Sequence, residues 1–160
     1  YAKGLFDLIN NYVKNNADID TNRIYIGGCS NGGYMTMEMI LKHPDYFAAA
    51  FPICEAFYDE YITDKQIQSL KNLPIWFIHA KNDGTVKYDT TSKLLVKRLK
   101  AAGNTNVRTS FFDDVHDTTG RFTNEDGTPY TYDSHWSWTY FDNNELYTLS
   151  KSKSNYINKI

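Results

Sequence analysis

Cysteine is nearly missing from this chain of 160 residues: Cys29 and Cys54 are the only two. Neither has metal-ligand spacing, and no metal site or other cofactor is expected. No apolar run approaches the ~20 residues that cross a bilayer, so no membrane span is expected. Charge of either sign is not in excess, with 17 Lys+Arg against 19 Asp+Glu and a net charge of −2. That balance offers no electrostatic reason to expect nucleic acid or an anionic membrane surface as partner. Internal repeats and low-complexity linkers are also missing. The amino terminus has no signal-peptide pattern, but Tyr1 is not an initiator Met. We therefore expect a processed, truncated or engineered piece, whose missing signal leaves the compartment unknown.

The composition is that of an ordinary globular protein, with 41% hydrophobic and 22% charged residues. The length suits one domain able to bury roughly 70% of its unfolded surface. Aromatics reach 16%, with 13 Tyr. Their spacing is not periodic, so they fill a core or line loops rather than form a base-stacking platform.

Leu5, Leu8, Ile9, Tyr12 and Val13 recur at helical spacing over residues 3–16, and Asn15-Asn16 breaks the pattern. Ile24 to Gly27 reads as a strand, and the Met-rich segment 33–42 as a helix ended by His43-Pro44. Ala48 to Ile53 is a second strand, and Thr63-Asp64 caps a helix running to Leu70. Leu73 to His79 is a continuous apolar run, typical of a parallel sheet covered on both faces. A helix over 89–102 turns Leu94, Leu95, Val96 and Leu99 inward and ends at Gly103, and Val107 to Phe112 is the fourth strand. Asp113 to Ser134 is a long polar segment of the kind that is functional or mobile. A last helix is expected over Ser137 to Leu149, followed by a polar tail, 150–160. Alternating strands and helices predict an α/β fold: a parallel sheet with helices on both faces, in a single domain over 1–149.

Between the first strand and its helix stands Gly28-x-Ser30-x-Gly32. A strand turning sharply into a helix forces the residue at the turn into a strained conformation with its side chain projecting, the nucleophile elbow. Glycines on either side leave room where a Cβ would collide. The other reading is a plain glycine-rich turn. A serine hydroxyl is a poor nucleophile near neutral pH, so an elbow implies a base and a group that orients the base. In open α/β sheets such groups gather at the carboxyl ends of strands. Asp83 follows the third strand there and suits the acid, although an Asp-Gly pair also makes a simple Asx turn. Among the histidines, His43 caps a helix end and His79 braces the loop ahead of Asp83. His116 and His135 are both open as the base.

Several stretches together resemble the esterase group of the α/β hydrolases that includes polyhydroxybutyrate-depolymerase-like and feruloyl-esterase-like proteins. They are Gly27-Gly28-Cys29-Ser30-Asn31-Gly32-Gly33-Tyr34, His43-Pro44-Asp45-Tyr46-Phe47, Phe51-Pro52-Ile53-Cys54, His79-x-x-x-Asp83-x-x-Val86 and His135-Trp136-Ser137-Trp138. The resemblance spans residues 24 to about 145 and covers the carboxyl-terminal two thirds of such a fold. It implies Ser30 as nucleophile, Asp83 as acid and His135 rather than His116 as base, in the chain order of α/β hydrolases. The implied activity is cleavage of small-molecule or polymer-attached carboxylic esters through an acyl-enzyme, without a cofactor. A peptidase of the prolyl-oligopeptidase type and a non-catalytic remnant used for binding are the alternatives. Tyr34, Trp136 and Trp138 either line an acyl or aromatic pocket or pack in the core.

The family pattern also has strands before the elbow, including a loop that gives one oxyanion donor. Here one helix precedes Ile24, so the first strand would present unpaired backbone groups. The Asn31 N–H supplies one oxyanion donor, and no HGGG-type loop supplies the second. We therefore expect an amino-terminal segment or another subunit to complete the sheet. Cys29 and Cys54 fall at the ends of neighbouring strands, where either a disulfide or two small thiols would fit. A bridge would favour an extracellular setting.

Overall fold

In a computed structural model, which describes residues 1–140, four parallel strands alternate with four α-helices. The elements are α1 (Ala2–Lys14), β1 (Tyr25–Cys29), α2 (Asn31–Lys42), β2 (Ala49–Ile53), α3 (Asp64–Ser69), β3 (Ile75–Ala80), α4 (Ser92–Ala101) and β4 (Val107–Phe112). A 3₁₀ segment, Ser134–Tyr140, follows. The strands lie in sequence order, β1-β2-β3-β4, and every neighbouring pair is parallel.

That order decides where the helices go. When each right-handed crossover steps the same way along the sheet, the connecting helices fall on one face. Residues of all four α-helices accordingly share one core with Ala50, Ile75 and Phe77. The opposite face carries Ile53, Cys54, Trp76 and Ile78, with Trp138 of the 3₁₀ segment packed on them. Strand β3 shows the alternation directly: Ile75 and Phe77 enter the first core, Trp76 and Ile78 the second. All six of its residues are buried, as expected of a parallel strand with both faces covered.

Local details differ from the expectations where packing chose the face. In α1 the inward stripe is Ala2, Leu5, Phe6 and Ile9, while Leu8 and Tyr12 are exposed. Phe6 fixes this rotation by stacking on His43 and meeting the edge of Tyr46. The Asn15 and Asn16 side chains donate to the carbonyls of Asn11 and Tyr12, filling acceptors that the helix end leaves open. Thr63 caps α3 in a reciprocal box with Gln66. In α4 Leu95, Val96 and Leu99 are buried, but Leu94 is exposed; residues 88–90 form a separate 3₁₀ turn, and α4 starts later than expected. Gly103 ends α4 at φ 91°, a conformation that favours glycine.

The polar segment after β4 is held by backbone bridges His116–Thr131 and Thr123–Pro129. Asp117 ties it further, accepting from the Thr119 hydroxyl and the backbone N–H groups of Arg121 and Phe122. Residues 137–140 of the expected last helix lie in the 3₁₀ segment. Its remainder, to Leu149, and the 150–160 tail lie outside the described residues.

Candidate active site

Strand β1 runs into α2 through Ser30, which sits at φ 55° and ψ −112°. Among the described residues only Ser30 and Cys54 are non-glycines with positive φ, and they end adjacent strands. Such a conformation costs on the order of 1–3 kcal/mol and persists only where surrounding contacts enforce it. Here the Ser30 N–H donates to the Ile53 carbonyl and the Cys54 N–H to the Ile78 carbonyl, continuing the sheet ladder past the strands.

The glycines around the turn have unequal duties. A Cβ on Gly28 would lie 2.7 Å from backbone atoms of Gly32, so the turn closes only on glycine. One on Gly33 would lie 2.7 Å from Glu55 Cα, letting the first turn of α2 sit directly on the end of β2. A Cβ on Gly32 would meet nothing within 4 Å, contrary to the expectation that both motif glycines avoid collisions. Gly32 is approached from the Gly28 side through its backbone, and its own Cβ direction points into open space.

Three side chains from distant segments meet at this turn. His135 Nε2 lies 2.9 Å from Ser30 Oγ, and His135 Nδ1 lies 2.8 Å from Asp83 Oδ2. With Nδ1–H donating to the carboxylate, Nε2 is left as an acceptor facing the hydroxyl, the tautomer a general base needs. Asp83 Oδ1 accepts from the backbone N–H groups of Thr85 and Val86, at 2.8 and 2.9 Å. Burial alone would push this carboxyl up. The hydrogen bonds from His135, Val86 and Thr85 outweigh it and hold Asp83 below its ordinary value, so it is ionised near neutral pH. The Asx turn and the contact with His135 therefore coexist in one carboxylate.

The other candidates fall as follows. His116 pairs with Asp114 at 2.7 Å and faces the Tyr140 ring, within the bridged loop. Asn31 is the first residue of α2, where a helix leaves its N–H groups without intrahelical acceptors. Trp138 packs edge-on against His135, Trp136 is 46% exposed, and Tyr34 is exposed and stacked on Phe57. Trp138 therefore belongs with the core beneath the site, while Trp136 and Tyr34 present rings to the surface.

Cys29 and Cys54 are separate thiols, not a disulfide. The register sets Cys29 beside Ile53, and Cys54, one residue further on, has a positive φ. Cys29 is exposed and Cys54 is buried, with burial pushing the Cys54 thiol up to about 12. Cys54, Asp83 and His135 each offer a ligand atom within 4.8 Å of the others. Asp83 and His135 are already hydrogen-bonded to each other, and His135 to Ser30.

Sequence reasoning left out two buried polar residues linked to Asp83 through His79, Glu55 and Ser92, and saw in His79 only a brace. His79 does brace the loop, with Nε2 3.2 Å from the Val86 carbonyl, and it also reaches Asp83 Oδ2. The available signal was position: Glu55 follows an apolar strand at the same sheet edge as Ser30 and Asp83.

A parallel sheet with helices, in which a strand enters a helix through a positive-φ serine, is the architecture of an α/β hydrolase. The model of the phospholipase/carboxylesterase family matches residues 2–125, and the chain belongs to that family. A thermostable esterase superimposes on it with a TM-score of 0.70 and 30% identity, over 92% of this chain and 35% of that one. The acylaminoacyl peptidase of Pyrococcus horikoshii gives a TM-score of 0.62 at 19% identity, over 71% and 23% of the two chains. SOBER1 of Arabidopsis thaliana gives 0.56 at 19% identity, over 69% and 51%. The last two likenesses speak to the fold alone. This chain spans about a third of the length of the thermostable esterase and about half that of SOBER1.

Proposed function

We propose that this chain carries the catalytic centre of a serine esterase that works through an acyl-enzyme. The observation that carries the reading is the continuous chain from Ser30 Oγ through His135 to Asp83, at 2.9 and 2.8 Å, beneath a strained turn. Ser30 attacks the ester carbonyl carbon while His135 Nε2 takes the hydroxyl proton. The imidazolium that forms is stabilised by ionised Asp83. The tetrahedral oxyanion is held by the Asn31 N–H, at the positive end of α2. Collapse expels the alcohol, which receives the proton from His135, and leaves Ser30 acylated. Water then attacks the acyl group with His135 again as base, releasing the acid and restoring Ser30.

The substrates are small-molecule or polymer-attached esters of the kind taken by polyhydroxybutyrate-depolymerase-like and feruloyl-esterase-like proteins. The surface rings of Tyr34 and Trp136 offer flat apolar contact for an acyl or aromatic group. The second oxyanion donor, and the strands that pair with the outer edge of β1, come from an amino-terminal segment or another subunit.

A fluorophosphonate probe tests the centre, because it reacts only with an activated serine. The unaltered protein is expected to be labelled at Ser30, and Ser30→Ala to remain unlabelled. Equal labelling of both would sink the reading. On a chromogenic ester, His135→Ala is expected to lose activity and His116→Ala to keep it, and the reverse would reassign the base. A panel of matched esters and amides separates an esterase from a peptidase.

A further inference from the structure

Behind Asp83 lies a second polar chain that the three-residue centre does not need. Glu55, Ser92 and His79 are each wholly buried. His79 Nε2 lies 3.2 Å from Asp83 Oδ2 and 3.2 Å from the Val86 carbonyl oxygen. His79 Nδ1 lies 2.8 Å from Ser92 Oγ, which lies 3.1 Å from Glu55 Oε1. Glu55 Oε2 accepts from the Phe57 N–H at 2.8 Å. Hydrogen bonds thus connect Ser30, His135, Asp83, His79, Ser92 and Glu55 without a gap.

Counting donors places the protons. Both neighbours of His79 Nε2 are pure acceptors, a carboxylate and a carbonyl, so Nε2 carries hydrogen. A neutral ring then has only a lone pair at Nδ1, and the Ser92 hydroxyl must donate to it. Ser92 has no second hydrogen for Glu55 Oε1. A hydrogen is needed between those two oxygens, and a protonated Glu55 supplies it. The rival arrangement moves one proton: Glu55 ionised, Ser92 donating to it, and His79 doubly protonated. That puts an anion and a cation in a fully buried setting, where desolvation opposes both. Burial pushes Glu55 well above its ordinary value, and burial likewise lowers His79 despite the opposing pull of Asp83.

We propose that Glu55, Ser92 and His79 are positioning residues, in which a neutral Glu55 carboxyl, acting through Ser92, locks His79 in the Nε2–H form. His79 in that form clamps Oδ2 of Asp83, the same oxygen that receives His135. The inference rests on the serine-hydrolase reading for its effect on catalysis, but not for its proton placement. Sharing Oδ2 has a direction. A donor from His79 draws off carboxylate charge and makes the His135 imidazolium less stable. Losing that donor raises the affinity of His135 for a proton, and the acid limb of kcat/KM moves to higher pH. The other titratable groups facing the relay are Asp59 near Glu55, Cys54 beside Asp83, and Tyr88 edge-on to His79.

Two measurements on the complete protein test the proposal. Two-bond ¹H–¹⁵N correlation of ¹⁵N-histidine-labelled protein reads each ring's protonation independently of activity. His79 is expected as a neutral Nε2–H tautomer near neutral pH, and an imidazolium pattern would overturn the proposal. The pH profile of kcat/KM is then compared across variants. Glu55→Ala and Ser92→Ala are expected to lower kcat about tenfold with KM little changed, and to move the acid limb upward. Glu55→Gln keeps an N–H donor for Ser92 and is expected to recover most of both effects. A Glu55→Gln limb displaced as far as that of Glu55→Ala would mean that the charge of Glu55, not its proton, is what matters. If Ser30 takes no fluorophosphonate while His79 still shows the Nε2–H pattern, the esterase reading fails and the relay stands as a structural network.

Discussion

Asp83 accepts four hydrogen bonds, from the backbone N–H groups of Thr85 and Val86 at one oxygen and from His135 and His79 at the other. A carboxylate has about four lone-pair sites, so this one is saturated, and an amide in its place would leave at least one donor facing an N–H. Asp83→Asn is expected to lower kcat by on the order of 10³- to 10⁴-fold, since His135 would be held in the wrong tautomer; stopped assays on a chromogenic ester would show it. The same change carries a pH signature. Asp83 is held below its unfolded value of about 3.9, so its stabilisation is present above that pH and is lost as pH falls through the native value. Urea melts at a series of pH values should therefore show the gap between the parent and Asp83→Asn narrowing in acid. A constant gap would mean that the carboxylate charge does not stabilise the fold. Little of this saturation was legible in the chain: Asp83-Gly84 announced a turn, but its second oxygen is filled by residues 79 and 135.

At the scale of elements, the elbow depends on close approach at two glycines, and the motif names only one of them. Gly28 is required by the backbone of Gly32, whereas Gly33 is required by the backbone of Glu55. Gly33→Ala would drive a methyl against Glu55 Cα and the Ile53 carbonyl, and is expected to cost about 1–3 kcal/mol by thermal or urea unfolding. Gly32→Ala has open space and replaces a glycine in a helix, so it is expected to be neutral or stabilising by up to about 1 kcal/mol. The reverse order would contradict this geometry. Periodicity located every α-helix and strand in the described residues to within a few positions, because one buried stripe per helix and one apolar run per strand suffice for that. Which stripe faces inward was less legible. Leu8, Tyr12 and Leu94 fit the helical period but are exposed, since Phe6 stacking on His43 sets the rotation of α1 and Leu95, Val96 and Leu99 take the buried face of α4.

For the whole molecule, the strand order leaves β1 at one edge of the sheet, with Gly27 and Cys29 exposed along it. An edge strand offers backbone groups on which a further strand can pair, here beside Ser30. The chain alone is expected to turn over esters about 10²- to 10³-fold more slowly than a form completed by strands on that edge, the cost of one oxyanion donor. Size-exclusion and a rate comparison with and without the amino-terminal complement would test this; full activity in a stable monomer of these residues alone would refute it. By itself the sequence determined the alternation of strands and helices and the turn that strains Ser30, because each depends on near neighbours in the chain, and that alternation implies a parallel sheet. Only the tertiary structure decided which helix faces are buried, that Cys29 and Cys54 are free thiols, and that Glu55 and Ser92 reach Asp83 through His79. Those outcomes depend on strand register and on side-chain rotation between different elements, such as Glu55 and Ser92, 37 residues apart, about which local pattern carries no information.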